Sequence, residues 1–236
     1  MTKSGYLKKY RNPLIVIKIA IFLHFYLPSR IVPLFLFILF RVKVSHKTVC
    51  EWTNKFGRNI NLPEYKNTND KIICHADEKY VKVKGIWNYW WSIKDSLGNI
   101  IHSVVTPYRD FDSAKELLKE ARRKIGRNVD ILVRDGLSAY DRSTKFLGRR
   151  CKSVIAGING KGFIYKKEFY WITNNPIESW NSEIDFYLKK FRNNFSNLES
   201  ANKFAQIFIL QKHLKKRIME KKLLEASSML ELALNI

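Results

Sequence analysis

The chain has 236 residues, enough for one well-filled core and a small accessory region. Lysine and arginine number 43 against 21 aspartates and glutamates, and the net charge of +22 calls for a polyanionic partner, nucleic acid first and an acidic membrane surface second. Cys50, Cys74 and Cys151 form no CxxC pair, which excludes a disulfide framework and a cysteine zinc site; a reducing compartment and a mature chain starting near Met1, without a secretory leader, are expected.

Residues 13–40 hold two apolar runs divided by Pro28, Ser29 and Arg30, and neither reaches the ~20 residues that a spanning helix needs. Ser29 reads as an N-cap that places Pro33 fourth in a short helix. Ser45 reads as a second N-cap, before HKTVCEWTNKF, where Val49, Trp52 and Phe56 recur at helical spacing. Such a pair fits a helix-turn-helix with Ser45, His46, Lys47 and Thr48 facing the bases, and equally a plain helical hairpin. Asn59 to Asp70 reads as a linker, so the expected division is an N-terminal helical region at 1–60, a linker at 61–70, a main domain at 71–195 and C-terminal helices at 196–236.

Three strands are expected in close succession, Ile72–Lys84, Trp87–Lys94 and Asn99–Thr106, joined as an antiparallel meander. A helix follows from Asp110 to Arg127, then a buried strand from Val129 to Val133, a short helix from Ser138 to Phe146 and a strand from Cys151 to Ala156. Pro176 opens a long helix with Trp180, Ile184, Tyr187, Leu188 and Phe191 on its apolar face, and Glu178, Asn181, Asp185, Lys189 and Arg192 on the other. A last helix spans Leu198 to Lys216. The fold class is α/β: a three-stranded antiparallel meander plus parallel strands with flanking helices, behind an N-terminal helical region.

Asp77 has the same parity in its strand as Val81 and Val83, and a carboxylate on a core-side position requires a partner or a metal. Asp135 ends the fourth strand and Glu178 lies in the first turn of the long helix; acids so placed converge on one edge of an α/β sheet. Carboxylate oxygens suit Mg²⁺ or Mn²⁺, and two such ions ~3.5–4 Å apart support phosphodiester displacement. Each later acid also has a local reading: Asp135 before Gly136 as a turn residue, and Glu178 as the partner of Asn175 in a capping box. Glu78, on the opposite strand face, and Glu183 and Asp185 are substitutes, whereas Asp95, Asp110, His75 and His102 read as structural.

The stretches HADEKYVKVKG, KDSLGNII, PYRDFDSAKELLKEA, VRDGLSAY, NNPIESWNSEI and FRNNFSNLESA, in this order, resemble the DDE transposases of bacterial and archaeal insertion sequences, most of all the insertion-sequence-six family. LPSRIVPLFLFILFRVKVSHKTVCEWTNKF resembles that family's N-terminal helix-turn-helix. The resemblance implies a ribonuclease H-like catalytic domain shared with retroviral integrases, with Asp77, Asp135 and Glu178 as catalytic ligands of two Mg²⁺ (or Mn²⁺) ions. It further implies DNA as partner, both terminal inverted repeats and target, cleavage followed by strand transfer, and a homodimer or larger synaptic oligomer in the prokaryotic cytoplasm, at the nucleoid. Two departures stand out: the Asp135 to Glu178 interval is enlarged at Gly157–Trp171, and WNSEIDF replaces an arginine-rich run, leaving Lys189 and Arg192 as phosphate contacts. A metal-dependent nuclease of the same fold, a decayed DNA-binding protein and a membrane-anchored protein are the rival readings.

Overall fold

The computed structural model describes residues 11–57, 65, 71–156, 163–165, 168–170, 175–190 and 194–219. Three helices come first, α1 (Leu14–Tyr26), α2 (Val32–Phe40) and α3 (His46–Gly57). The meander follows as β1 (Ile73–Val83), β2 (Ile86–Asp95) and β3 (Ile100–Thr106), then α4 (Phe111–Ile125), β4 (Ile131–Arg134), α5 (Ala139–Ser143) and β5 (Lys152–Ile155). A separate two-stranded hairpin, β6 (Phe163–Tyr165) with β7 (Glu168–Tyr170), precedes α6 (Asn175–Lys190), the short β8 (Asn194–Phe195) and α7 (Leu198–Met219).

The main sheet runs β3-β2-β1-β4-β5. Its first three strands are antiparallel, β4 and β5 are parallel to β1, and β8 pairs with the far end of β1. Two residues close the β1–β2 hairpin, Lys84 at φ 51° and Gly85 at φ 79°, the left-handed pair that matches the twist of the flanking strands. The alternation in β1 serves two cores rather than one core and solvent. Cys74 and Ala76 join Trp91, Ile93, Leu117, Leu118 and Tyr140 beneath α4 and α5. Val81 and Val83 join Trp90, Val105, Trp180, Ile184 and Phe208 beneath α6 and α7. The sheet is therefore covered on both faces, as a sheet with a parallel half must be.

Local signals place most element ends. Asp110 caps α4 by accepting from the Ser113 amide at 2.9 Å, and Gly126 closes it at φ 76°. Ser45 caps α3 by accepting from the Thr48 amide at 3.1 Å. Ser29 does not cap α2: Ile31 is the cap position and Pro33 stands second in the helix, because a proline relinquishes no hydrogen bond in the first turn. The enlarged interval contains the β6–β7 hairpin, and its residues 157–162, 166–167 and 171 lie outside the described residues, as do Arg192 and the linker apart from Tyr65.

The N-terminal helices are not set apart from the sheet domain. Val16, Ile17, Ile21, Leu36, Val49 and Trp52 share a core with Ile207 of α7, and the Tyr26 ring meets Tyr187 of α6 edge-on at 6.4 Å. Along α2, Leu34, Phe35, Phe37, Ile38, Leu39 and Phe40 remain exposed. Among the described residues, no helix is long and apolar enough to cross a membrane.

Candidate active site

Sheet register brings the first two predicted acids together. Ala76 of β1 pairs with Arg134, the last residue of β4, so Asp135, just past the end of β4, lies level with Asp77 in the middle of β1. Arg134 is buried at the root of that turn and pins it: its guanidinium donates to Ser153 Oγ at 3.0 Å, to the carbonyls of Asp135 and Leu137 at 2.9 and 3.2 Å, and to Asp141. Asp135 Oδ1 accepts from the Leu137 amide at 2.9 Å, which aims the other oxygen outward.

Glu78 is a third acid in the same place. One ligand oxygen each from Asp77, Glu78 and Asp135 lies within 4.8 Å of the others. Glu78 does point to the face opposite Asp77, as its parity requires, but it lies just beyond the last pairing of β1 with β4, where its longer side chain can reach the other two acids. Its Oε1 accepts from Arg109 Nε at 2.7 Å and also from Nη2, and Oε2 lies 3.3 Å from the Tyr140 hydroxyl that donates to it. The same Nη2 of Arg109 is 3.6 Å from Asp135. One guanidinium thus balances two of three crowded carboxylates.

Burial raises both strand acids. Asp77 is pushed up to about 6 by burial and then by the charges of Asp135 and Glu178, against hydrogen bonds from the Glu78 amide and Asn181. Glu78 is pushed up to about 7 by burial and by Asp135 and Asp77, with Arg109 opposing. The Tyr140 hydroxyl is buried beside these acids and lifted well above its ordinary value, so it stays a donor.

Helix α6 supplies the third side. Its apolar face fixes it on the sheet: the Trp180 indole donates to Ser92 Oγ at 2.8 Å and stacks on Phe208 at 4.7 Å. Ser92 is the cross-strand partner of Asp77. One residue on, Asn181 Nδ2 donates to Asp77 Oδ2 at 2.8 Å, and Asp185 pairs with Lys79 at 2.7 Å. Asn175 is itself helical, so it does not occupy the cap position that a box with Glu178 requires. Glu178 is exposed, three residues before Asn181 on one helix face, and its charge is felt at Asp77; it lies outside the tight acid cluster.

Of the other predicted contacts, Lys189 is exposed on α6, whereas His46 and Lys47 are exposed at the start of α3. The Ser45 and Thr48 hydroxyls lie 3.0 Å apart and are engaged in the cap. Asp95 is structural, accepting from Asn99 and from Tyr65, and Glu183 pairs with Lys212. Residue-by-residue reading gave no role to Arg109, Arg134 or Tyr140. Their one local signal is position, each within a stretch that carries the family resemblance.

Residues 72–218 match the DDE domain family of IS240-type transposases, more than half of the chain. The transposase of the insertion sequence-like element IS431mec from Staphylococcus aureus is 25% identical over 93 residues, 39% of this chain and 42% of that protein. The transposase of IS257 in transposon Tn4003, also from Staphylococcus aureus, matches to the same extent. The chain thus spans less than half the length of these curated relatives. A solved cryo-EM structure, the simian T-cell lymphotropic virus intasome in complex with PP2A regulatory subunit B56 gamma, is similar at 13% identity with a TM-score of 0.40, over 75% of this chain and 60% of that one. With its meander, its parallel strands and its acids gathered where β4 ends beside β1, the chain belongs to the DDE transposase family, of the insertion-sequence-six type.

Proposed function

We propose that the chain is an insertion-sequence transposase that cuts DNA at the element ends and joins them to target DNA, using Asp77, Asp135 and Glu178 around divalent metal. The observation that carries this reading is the convergence of Asp77, within β1, and Asp135, at the end of the adjacent β4, with α6 docked on Asp77 and carrying Glu178 in its first turn. The donor set fits Mg²⁺ or Mn²⁺: it is all oxygen, and Asn181 Oδ1 beside Asp77 is buried with no hydrogen-bond partner among the described residues. Bound there, two such ions would supply Lewis acidity and an activated nucleophile.

The chain's own residues perform the positioning. Arg109 keeps Glu78 and Asp135 apart from mutual repulsion, Asn181 fixes the Asp77 oxygen it bonds, and Arg134 holds the turn that presents Asp135. Glu178 closes the site from α6, and Lys189, further along that helix, supports the DNA backbone together with Arg192. Ser45, His46, Lys47 and Thr48 at the start of α3 read the terminal inverted repeats, with α2 and α3 as a helix-turn-helix. The working form is a dimer or larger synaptic assembly at the prokaryotic nucleoid.

End-labelled DNA carrying the element's terminal repeat, incubated with the protein in Mg²⁺, is expected to give a nicked end and then a joined product. Asp135→Asn is expected to reduce both by at least about a thousandfold, roughly 4 kcal/mol in the barrier, while leaving DNA binding intact. Cleavage without any joined product would assign a nuclease instead. An unchanged Asp135→Asn protein would remove the site.

A further inference from the structure

A second polar site is lined in part by Trp180. A pocket of about 440 Å³ opens between α6, α7 and the turn that joins β2 to β3. Its charged lining is Lys94, Lys212, His213, Lys215 and Lys216 against one acid, Glu183. Several of these groups are held in place. Lys216 Nζ donates to Asn99 Oδ1 at 2.8 Å, His213 Nε2 donates to the Ile100 carbonyl at 3.2 Å, and Lys212 pairs with Glu183. The nearby carboxylate of Asp95 is turned to Asn99 and Tyr65. Four ammonium groups line the pocket beside one lining carboxylate, and Asp95, whose charge reaches Lys94, adds a second acid from its edge.

The crowding is electrostatically unfavourable as it stands. Lys212 is held down to about 8 by burial and then by Lys215 and Lys94, and Lys94 is lowered by burial and by Lys216, against the attraction of Asp95. An anion in the pocket would reverse that repulsion. The pocket also has a fixed relation to the acids: Trp180 lines it and bonds Ser92, Ser92 pairs with Asp77, and the neighbouring Asn181 bonds Asp77.

We infer that this pocket is a DNA phosphodiester-binding site, which seats the backbone of a strand on its way to the acids. Resting on the transposase reading above, the assignment gives that strand a path along α6 and α7, separate from the base-reading role of α3. Lysines suit the task as mobile point charges that tolerate any base sequence.

The test is the salt dependence of binding to a fluorescein-labelled DNA duplex. Each lost phosphate contact lowers the slope of log affinity against log salt by about 0.9, so Lys94→Gln/Lys215→Gln is expected to be shallower than wild type by about 1.8. Lys215→Gln alone, at an exposed position, is expected to give half of that and guards against misfolding of the double variant. Arg149→Gln/Arg150→Gln, which removes two charges from the exposed turn before β5, is expected to keep the wild-type slope. Equal slopes for wild type and the lysine variants would overturn the site, and so would an equal loss in the arginine control, which would mean diffuse attraction only. The transposase reading is judged separately, by Mg²⁺-dependent cleavage in the wild type. Absent cleavage with a lowered slope in the lysine variants would remove that reading and keep the pocket as a DNA site.

Discussion

Arg109 sits where the cost of crowding acids is met. It is bound to Glu78 and stands 3.6 Å from Asp135, so it stabilises the ionised forms that a metal requires. Removing its charge lets Glu78 keep its proton to higher pH, because burial and the neighbouring acids then act unopposed. Arg109→Gln is accordingly expected to move the acid limb of the pH–activity profile to more alkaline pH; a profile that only drops in height would assign the residue a merely structural role. Metal binding should show the same titrations. With Asp77 up at about 6 and Glu78 at about 7, Mg²⁺ is expected to raise the melting temperature clearly at pH 8 and little at pH 5.5. An equal gain at both values would place the ion elsewhere.

At the scale of elements, α6 is positioned by its buried tryptophan. Trp180→Phe keeps an apolar ring on Phe208 and loses the hydrogen bond to Ser92, an expected cost of about 1 kcal/mol. Trp180→Ala leaves a cavity and is expected to cost about 3–5 kcal/mol, read as the difference in urea midpoints. A Phe variant as damaged as the Ala variant would mean that the hydrogen bond, not the ring, holds the helix. The elements themselves were legible in the sequence wherever the cause was local. Ser45 and Asp110 announce helix starts, the strand runs announce the meander, and the acids at Asp77 and Asp135 follow from strand position. Alternation assigns Glu78 to the other face and makes it only a substitute, a rule that side-chain length defeats where the neighbouring strand β4 stops. Arg109 and Asn181 were illegible as site residues for a different reason: their bonds to the acids join residues 31 and 104 positions apart, and such contacts leave no periodicity. The packing of α1 to α3 on the main domain is one of two readings the apolar helices allow, but their docking on α7 is not legible, since apolar helices advertise that they will be buried and not against what.

For the whole molecule, the buried histidines set the response to acid. His24 and His75 are lowered by burial to about 4 and His102 to about 3. The unfolded chain protonates these rings below about pH 6.5, but the fold does not, so their contribution is complete above that pH and is lost as pH falls toward 4. Asp77 and Glu78 act in reverse. Their raised folded values mean that the fold gains relative stability as pH falls from about 7 toward the ordinary carboxylate range. Bound Mg²⁺ would keep those acids ionised and cancel their opposition. The fall in urea midpoint from pH 7 to pH 5 is therefore expected to be steeper in Mg²⁺ than without it, and a midpoint that rises over that range in Mg²⁺ would contradict the assignment.

The double use of β1 has a consequence for how such a site can change. Asp77 and Glu78 are adjacent in the chain, yet one leans on the core under α6 and the other on groups from the α4 and α5 side. The acid-bearing edge is thus a seam between two interiors, and it inherits the tolerances of both. A substitution that shifts either interior by a fraction of an ångström moves one acid relative to its neighbour without touching either. Mutational drift in such a protein would be felt as a displaced acid well before loss of folding, so a chain of this kind can keep a sound fold long after its acids have lost their register.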